Sequence, residues 1–314
     1  MIIRFGYVAL SKTINETSSH TLTYTKYKEE ISNDKLFKVV QKNLDGLEEI
    51  LKYNIRNNIH FYRMSSAIFP LATHPKVNFD VLNIFKERLI KIGNIIMENK
   101  IRVDIHLDQF CVLNSVSKEV VTSTINIINF YKNMFITMNI RSKMIIHIGS
   151  SVGGKEEGIN RFIENFKLLD KETQKMIIIE NDDKIYNIDD TLYLSKKINV
   201  PVVLDYHHHK CNSVSEINIR EVFNTWDIIP KIHFSSPKNK KDFRPHNDYI
   251  NVDDFIEFLG LVENIDIDFD VMIEAKEKDN ALFKLVRELK YKNYYFIDDT
   301  TLKIDNGIDN SRKK

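Results

Sequence analysis

Hydrophobic residues gather along the chain in eight short runs that are rich in β-branched side chains. Most of these runs are apolar at nearly every position, which is typical of parallel strands buried on both faces. The pattern therefore predicts eight strands of a parallel sheet. They are Ile2–Val8, His60–Met64, Arg102–Leu107, Met144–Gly149, Met176–Glu180, Pro201–Tyr206, Lys231–Ser235 and Asp270–Ala275.

The segments between these runs have helical spacing. Apolar residues recur with a period near 3.6 from Leu36 to Leu51 and from Val81 to Ile96. Eight strands alternating with helices predict an α/β fold, the TIM (β/α)8 barrel, as a single domain. A doubly wound open sheet is the alternative, but Gly6 stands alone inside the first strand and no Gly-rich turn follows it. Weaker helical patterns cover Val120–Tyr131, Arg161–Leu169, Asp190–Ile198, Glu216–Trp226, Val252–Val262 and Ala281–Leu289.

The domain boundary is predicted near the C-terminus. No internal repeat and no linker rich in Pro, Gly or Ser interrupts the chain before that point. Residues 1–297 are therefore predicted to form the barrel, which is the catalytic domain. The polar residues 298–314 are predicted to be a frayed tail.

The composition indicates which partners and which cellular compartment to expect. The chain has 45 basic and 44 acidic residues, so any nucleic-acid surface must be a local patch rather than a property of the whole molecule. Cys111 and Cys211 are the only cysteines, which favours a reducing cytoplasm. No signal peptide and no apolar run of roughly 20 residues is present, so no membrane partner is expected. No assembly motif is evident either, and a monomer is expected.

The residues that suit a metal ion fall at the ends of the predicted strands. Five strands carry one at or just beyond the C-terminal end, and a sixth carries one inside the strand. Active sites of these barrels lie on that rim. Each residue alone is more often structural, but burying six together is costly unless a cation lies among them. Nitrogen and oxygen ligands without thiolates suit manganese, zinc or iron. The six are His106, His147, Glu180, Asp205, His233 and Glu274.

Two local motifs extend this predicted cluster. Asp205-Tyr-His-His208-His209 follows the sixth strand, and Asp205 and His208 are spaced to reach neighbouring metals. The second motif runs from Lys231-Ile-His233 to Arg244-Pro-His246, with a Lys-rich segment between them. Its charge suits a phosphate-binding loop and, equally, an ordinary solvated loop.

Taken together, these motifs resemble those of the ultraviolet damage endonucleases, relatives of endonuclease IV. The resemblance runs from about Arg4 to Lys276. It is carried by Arg4-Phe-Gly-Tyr-Val8, Arg63-Met-Ser-Ser66, His74-Pro, His106-Leu-Asp-Gln-Phe110, His147-Ile-Gly, Glu180-Asn-Asp-Asp183, Leu204-Asp-Tyr-His-His-His209, Lys231-Ile-His-Phe-Ser-Ser-Pro237 and Ile273-Glu-Ala.

The resemblance implies up to three divalent metal ions, with Mn²⁺ expected first and Zn²⁺, Mg²⁺ or Co²⁺ as alternatives. It assigns one ion to His106, His147 and Glu180. Glu180 would bridge to a second ion held by Asp205, His233 and Glu274, and His208 and His246 would hold a third. Arg244 stands where the endonuclease IV relatives carry an acid, so the third ligand set is the least complete. Catalytic roles are implied for Glu180, Lys231, His74 and Tyr7, and in this family the lysine at Lys231 can be carboxylated.

The same resemblance implies double-stranded DNA containing ultraviolet lesions as the partner. Gln109 and Phe110 match a pair that probes the duplex at the lesion, where bases are already poorly stacked. From the residues alone, Phe110 would be an ordinary core aromatic. Ser11 is the candidate polar contact of the first loop. Flanking phosphates would be bound by Lys238, Lys240, Lys241 and Arg244.

The implied reaction is hydrolysis of the phosphodiester immediately 5′ to cyclobutane pyrimidine dimers and 6-4 photoproducts, leaving a 3′-hydroxyl and a 5′-phosphate. Three alternatives stay open. One is an abasic-site endonuclease with the same cluster, and another is a metal-dependent sugar isomerase or epimerase on the same fold. The third is a barrel that binds DNA or metal without turnover.

Overall fold

The computed structural model describes residues 1–29 and 33–304. Its strands are β1 (Ile2–Val8), β2 (Phe61–Met64), β3 (Arg102–His106), β4 (Lys143–His147), β5 (Ile177–Glu180), β6 (Val202–Asp205), β7 (Lys231–Phe234), β8 (Phe269–Ile273), β9 (Tyr295–Phe296) and β10 (Thr301–Lys303). Its helices are α1 (Tyr24–Lys28), α2 (Asp34–Arg56), α3 (Val81–Ile84), α4 (Lys86–Glu98), α5 (Lys118–Thr137), α6 (Lys155–Phe166), α7 (Lys171–Met176), α8 (Ile188–Ile198), α9 (Tyr206–Asn212), α10 (Ile219–Phe223), α11 (Val252–Val262) and α12 (Lys278–Tyr291).

Strands β1 to β8 form a closed parallel barrel. They pair in the order β2-β3-β4-β5-β6-β7-β8-β1, and β1 pairs in turn with β2. The predicted TIM (β/α)8 barrel is therefore confirmed, and the open doubly wound sheet is excluded because the sheet closes on itself. Each of the eight strands lies within two residues of its predicted ends.

The helices cover the barrel from outside. In α2 the apolar positions Leu36, Val40, Leu44, Leu47 and Leu51 are buried, as their spacing predicts. Among the described residues, no helix has the length and apolar character needed to cross a membrane.

Helix α9 is an element that the sequence pattern did not predict. It begins directly after β6 with Asp205 as its N-cap, whose carboxylate accepts the backbone N–H of His208 at 2.8 Å. The run of three histidines is thus helical rather than a loop. Successive helical residues point about 100° apart, so the three side chains cannot all face the barrel axis.

The C-terminal boundary predicted at residue 297 is wrong. Strand β10 pairs antiparallel with the first half of β1, in the register Ile2–Lys303 to Arg4–Thr301, and β9 pairs with β10. Residues 298–303 therefore belong to the fold. They occupy the side of β1 that β2, paired only from Gly6 onward, leaves open. The rest of the predicted tail, residues 305–314, lies outside the described residues.

The barrel interior below the rim is half apolar and half charged. Side chains two residues apart on a strand share a face, so each rim residue has a partner one layer down. Below His147, Glu180 and Asp205 this layer holds a compact apolar cluster of Ile145, Ile178 and Val203. Below His106 and His233 it holds Asp104 and Lys231, which contact each other.

Candidate metal centre

The six rim residues converge into two overlapping groups. The ligating atoms of His106, His147 and Glu180 all lie within 4.8 Å of one another. Those of Glu180, Asp205, His233 and Glu274 do so as well. These are the two sets that the resemblance assigned to a first and a second ion, and Glu180 belongs to both.

Glu180 is the hub of the cluster and is buried. Its Oε2 lies 2.8 Å from Nε2 of His106 and 4.0 Å from Nε2 of His147. Its Oε1 lies 2.8 Å from Nδ1 of His233, which is also 3.2 Å from Oε1 of Glu274. One carboxylate therefore faces ligand atoms from both sides, which is the arrangement of a bridging ligand.

Three histidines are oriented by main-chain carbonyl groups. Nδ1 of His106 lies 2.8 Å from the carbonyl oxygen of Leu107, and Nδ1 of His208 lies 3.0 Å from that of Asn181. Nδ1 of His246 lies 2.7 Å from the carbonyl oxygen of Glu274. A carbonyl can only accept, so each ring carries a proton on Nδ1, and its Nε2 is the atom left to bind a metal when the ring is neutral. Metal-ligating histidines are commonly held in this way.

The donor set fits a divalent cation. In a neutral His106 ring the Nδ1 proton is donated to Leu107, so two acceptors face each other where Nε2 meets Glu180. A cation between them removes that conflict. Within the described residues, Oδ2 of the fully buried Asp205 also finds no hydrogen-bond partner. Buried oxygens of this kind are satisfied by metal coordination.

Burial and neighbouring charges shift the pKa values of the cluster residues. Burial raises the pKa of Asp205 to about 6, and burial lowers the pKa of His233 to about 4. Although burial alone would raise it, the nearby His233, His147 and His106 hold the pKa of Glu180 well below its ordinary value. At neutral pH the hub is thus an anion surrounded by imidazoles, which favours cation binding.

His208 and His246 lie beside the two compact groups rather than within them. Nδ1 of His208 is 3.6 Å from Oδ2 of Asp205 and 3.7 Å from Oε1 of Glu180. The two imidazole rings lie 6.1 Å apart between centroids. Arg244 turns outward, with Nε 3.6 Å from Asp183, and so adds no ligand. Of the three ligand sets that the resemblance assigned, the third is therefore the least complete in this structure.

The neighbours of His208 on helix α9 have structural contacts instead. His207 is buried, with Nε2 2.9 Å from the carbonyl oxygen of Arg244, and so ties α9 to the Lys-rich loop. His209 is buried on another face, where it stacks on Tyr206. Of the three consecutive histidines, only His208 reaches the cluster.

Two charged residues that form the floor of the cluster beside the predicted Lys231 were missed as site residues. Nη1 of Arg63 donates to Glu274 at 2.7 Å, and Nη2 contacts His233. Nε of Arg63 lies 3.7 Å from Asp104, which pairs with Lys231. All three are buried. Arg63 and Asp104 could have been found from the sequence, because each is a charged residue in the interior of a predicted strand.

Asn181 was missed as well, and it joins two strand ends. Its side chain accepts the Asp205 N–H at 2.8 Å and donates to the Asp205 carbonyl oxygen at 3.0 Å. Its own carbonyl orients His208. The fully buried side chain of Asn181 thus positions Asp205, and its main-chain carbonyl positions His208.

The residues predicted to meet DNA are mostly exposed on the same rim. Gln109 is exposed and Phe110 is 76% exposed, which excludes a core role for this aromatic ring. Lys238, Lys240, Lys241 and Arg244 are exposed on a hairpin closed by the bridge between Pro237 and His246. We call residues 237–246 the basic hairpin.

Two predicted site residues point away from the cluster. Tyr7 alternates with the inward-facing Gly6, so its side chain leaves the barrel and its hydroxyl donates to Asn54 of α2 at 2.8 Å. The prediction of a catalytic Tyr7 is therefore corrected. Ser11 is buried and donates to Asp279 at 2.6 Å, so its hydroxyl holds the first loop in place, and its predicted contact with DNA stays a prediction.

His74 lies in the loop after β2. It is half-buried and stacks on Tyr24 at 4.1 Å between ring centroids. Its Nδ1 accepts the backbone N–H of Lys76 at 3.2 Å. These contacts lie outside the two compact groups, and its predicted catalytic role stays a prediction.

Comparison with known proteins gives consistent matches over the barrel. A family model described as UV-endonuclease UvdE matches residues 3–303. The UV DNA damage endonuclease of Bacillus mycoides (strain KBAB4) is 40% identical over 301 residues, covering 92% of this chain and 95% of the relative.

Solved structures give the same picture. The crystal structure of SacUVDE matches with a TM-score of 0.85 at 35% identity, covering 93% of this chain and 99% of that chain. An AP endonuclease, family 2, from Brucella melitensis matches with a TM-score of 0.50 at 11% identity, covering 87% of this chain and 93% of that chain. Similarity at 11% identity shows only that the two proteins share the barrel fold.

Proposed function

The chain belongs to the UV-endonuclease UvdE family, and on this basis we propose that it hydrolyses the phosphodiester immediately 5′ to cyclobutane pyrimidine dimers and 6-4 photoproducts. The products would be a 3′-hydroxyl and a 5′-phosphate. Membership makes the protein an endonuclease of DNA repair that acts on ultraviolet damage. The position of the cut and the choice of lesion are the proposed part.

The observation that carries the proposal is the shared position of Glu180. It belongs to both ligand groups, so it is suited to hold two divalent ions side by side. His106 and His147 complete one site, and Asp205, His233 and Glu274 complete the other. When bound, such ions supply Lewis acidity at the phosphate and an activated water as nucleophile. The mixed nitrogen and oxygen donors suit Mn²⁺, with Zn²⁺, Mg²⁺ and Co²⁺ as alternatives.

The chain's own residues prepare this site in three ways. Leu107, Asn181 and Glu274 orient histidine rings through their carbonyl groups, so the positions of the Nε2 atoms are set before any ligand arrives. The carboxylates of Glu180 and Asp205 are buried, which strengthens electrostatic interactions in the site. Arg63 balances the carboxylate charge from below.

Recognition of damage is assigned to the exposed rim. An exposed aromatic ring can enter the gap between poorly stacked bases, and this suits Phe110 beside Gln109. The basic hairpin would bind flanking phosphates without regard to sequence. The near-neutral charge of the whole chain makes this local patch the main electrostatic attraction.

The test is cleavage of an end-labelled duplex that carries one thymine dimer, beside undamaged and abasic duplexes. We expect a nick directly 5′ to the dimer that needs Mn²⁺, is lost with chelator and is absent from undamaged DNA. Glu180→Gln should abolish it, whereas Glu164→Gln, on the outer surface of α6, should not.

Other outcomes would replace the proposal. Cleavage of the abasic duplex alone would keep the metal site and reject photoproducts as substrates. Failure to cut any duplex, with folded and metal-loaded protein, would favour a sugar isomerase or epimerase. Tight binding of the dimer duplex without a nick would indicate a binding protein.

A further inference from the structure

A cavity of about 800 Å³ lies at the N-terminal face of the barrel, opposite the metal-ligand cluster. The strands begin at this face, and the lining includes Arg102 and Lys143, which are the first residues of β3 and β4. Arg141 from the loop before β4 and Ile229 from the loop before β7 contribute as well. The volume is that of a small-molecule site, for which about 300–1,000 Å³ is usual.

Much of the lining is apolar, and part of it reaches the surface. Ile136, Ile228 and Ile229 line the cavity although they are 58%, 47% and 41% exposed. Val103 and Phe135 form buried parts of the same lining. Exposed apolar side chains beside an apolar cavity are typical of a surface that buries an apolar ligand.

The charged side chains of the lining are mostly basic. Apart from Lys231 and Asp104, which contact each other, the lining holds five basic and two acidic residues. Outside the lining, Asp270 binds both Arg4 and Arg102, at 2.6 Å and 2.5 Å. An excess of positive charge remains, so the cavity favours an anion. The basic residues are Arg4, Arg102, Arg141, Lys143 and Lys175, and the acidic residues are Glu172 and Asp227.

Several of these cations lack a complete set of partners. Nη1 of Arg102 donates to Asp270 and to the carbonyl oxygen of Ile229, but its buried Nη2 has no hydrogen-bond partner within the described residues. Arg141 and Lys175 are exposed, and neither makes an ion pair within residues 1–29 and 33–304. Burial and the nearby Arg102 lower the pKa of Lys143. A bound anion would compensate these charges and accept the free N–H groups.

Uncharged hydrogen-bonding groups, in contrast, are scarce in the cavity. Ser142 is the one uncharged polar residue among the described residues that line it. Its hydroxyl already donates to the carbonyl oxygen of Val103 at 2.8 Å. A sugar or a nucleotide would therefore leave hydroxyl groups without partners here, which is unfavourable. The lining suits an apolar body with one acidic head instead.

We propose that this cavity is a second ligand site, which binds a small carboxylate with an aliphatic or aromatic body. Arg102 and Lys143 bind the head, since arginine N–H groups match the geometry of a carboxylate. Arg141 and Lys175 attract it at the entrance, and the body packs against the isoleucines. The site lies on the face opposite the metal cluster, so it requires neither metal nor DNA and does not rest on the proposed function.

The test uses the full chain with chelator and without DNA. The probe is anilinonaphthalene sulfonate, an apolar anion that fluoresces when it is buried. Trp226 is the only tryptophan of the chain, and its ring centroid lies 5.4 Å from Cζ of Arg102, so it can transfer excitation energy to a probe in the cavity. We expect saturable transfer that phenylbutyrate abolishes by displacing the probe and that the uncharged phenylbutyramide does not affect.

Other results would overturn the proposal. Absence of saturable transfer would reject the site. Equal displacement by phenylbutyrate and phenylbutyramide would show that the cavity does not select an anion. Displacement by adenosine monophosphate and not by phenylbutyrate would replace the carboxylate by a nucleotide.

Exposed residues at the entrance allow the site to be altered without disturbing the core. Arg141→Gln combined with Lys175→Gln should weaken probe binding by roughly 3- to 30-fold. Ile136→Asp should weaken it as well, because it places an acid beside the bound head. The matched control is Leu168→Asp, which changes another exposed apolar residue, just after α6 and outside the cavity lining. It should leave probe binding unchanged.

Unchanged affinity in the double variant, or an equal loss in Leu168→Asp, would show that the probe binds elsewhere and would contradict the proposal. None of these readouts depends on cleavage. Failure of the proposed function and failure of this inference are therefore distinguishable.

Discussion

Nε2 of His106 and Oε2 of Glu180 lie 2.8 Å apart, although their strands β3 and β5 are separated by β4 and do not pair. Both side chains lean inward over the barrel axis, and His147 on β4 is 4.0 Å from the same oxygen. The other oxygen of Glu180 faces His233 on β7. A single carboxylate thus connects residues from strands on opposite sides of the rim, so its loss should affect both ligand groups at once.

Replacing Glu180 is therefore expected to have the largest effect of any ligand substitution. Glu180→Gln keeps the shape but loses the charge that attracts cations from both groups. We expect the nicking rate to fall by more than about 100-fold, and the number of tightly bound Mn²⁺ ions per chain to fall as well. Isothermal titration counts the ions. An unchanged ion count would contradict the bridging role.

Asn181 should influence metal affinity without touching a metal. Asn181→Ala removes both bonds to the Asp205 backbone and frees the strand end that orients His208. We expect Mn²⁺ affinity to fall by about 10- to 100-fold. The matched control is Asn54→Ala, which removes another fully buried Asn, bonded to Tyr7 away from the cluster. It should lower stability but leave Mn²⁺ affinity unchanged.

The barrel and most of the cluster could be predicted from the sequence because they depend on local pattern. Continuous apolar runs fix the strands, and a barrel topology then brings strand ends together. His106, His147, Glu180 and Asp205 could be placed on one rim because each ends its own strand. The period of two along a strand also accounts for the inward position of His233.

What could not be predicted depends on contacts between distant segments. Ser11 looked like a loop residue open to solvent, and its burial follows from Asp279, which lies 268 positions further along the chain. The pairing of β10 with β1 joins the two ends of the chain, and the polar sequence from Asp298 gave no sign of it. Tyr7 was assigned by resemblance, whereas its neighbour Gly6 already faces the interior and so directs Tyr7 outward.

Phe110 should affect recognition of damage and not stability. Its ring is 76% exposed, so Phe110→Ala is expected to change the free energy of unfolding by less than about 0.5 kcal/mol. Losing one aromatic stacking contact should weaken binding to a dimer-containing duplex by about 1–3 kcal/mol, with little change for undamaged DNA. Fluorescence anisotropy with both duplexes measures this.

The control for this substitution is another exposed aromatic residue. Tyr291 is 89% exposed at the C-terminal end of α12, on the opposite face of the barrel. Tyr291→Ala should leave both affinities unchanged. Equal weakening in the two variants would show that Phe110 does not contact the lesion.

The metal-free protein should lose stability as the pH rises from about 6.5 to 8. Burial lowers the pKa of His208, but Asp205, Glu180 and Glu274 raise it more, to about 9. The folded state therefore keeps a proton that the unfolded chain releases above pH 6.5, so this stabilisation is lost as the pH approaches 9. We expect a fall of about 1–2 kcal/mol in this interval, measured by urea unfolding with chelator.

Other titratable groups near the cluster have little influence on stability between pH 6.5 and 8. The pKa of Asp205 is about 6, so this group has mostly lost its proton before the interval begins. Burial lowers the pKa of Lys231 to about 8, so the unfolded chain keeps a proton that the folded state releases, and stability rises with pH for this group, but mainly above pH 8. His208→Gln should make the free energy of unfolding nearly independent of pH in this interval. Stability that rises between pH 6.5 and 8 would contradict the assignment to His208.

The basic hairpin should determine how steeply DNA binding depends on salt. Each phosphate contact that is lost lowers the slope of log Kd against log salt by about 0.9, because fewer counterions are released. Replacing Lys238, Lys240 and Lys241 by Ser should therefore lower the slope by up to about 3, equally for damaged and undamaged duplexes.

The control replaces Lys196, Lys197 and Lys290, which are exposed in the last turns of α8 and α12 at the opposite face, and should leave the slope unchanged. If both triple variants lower the slope equally, DNA is attracted by the whole surface and not by the rim. If the hairpin variant instead loses affinity only for the damaged duplex, its lysines contact the lesion rather than the flanking phosphates.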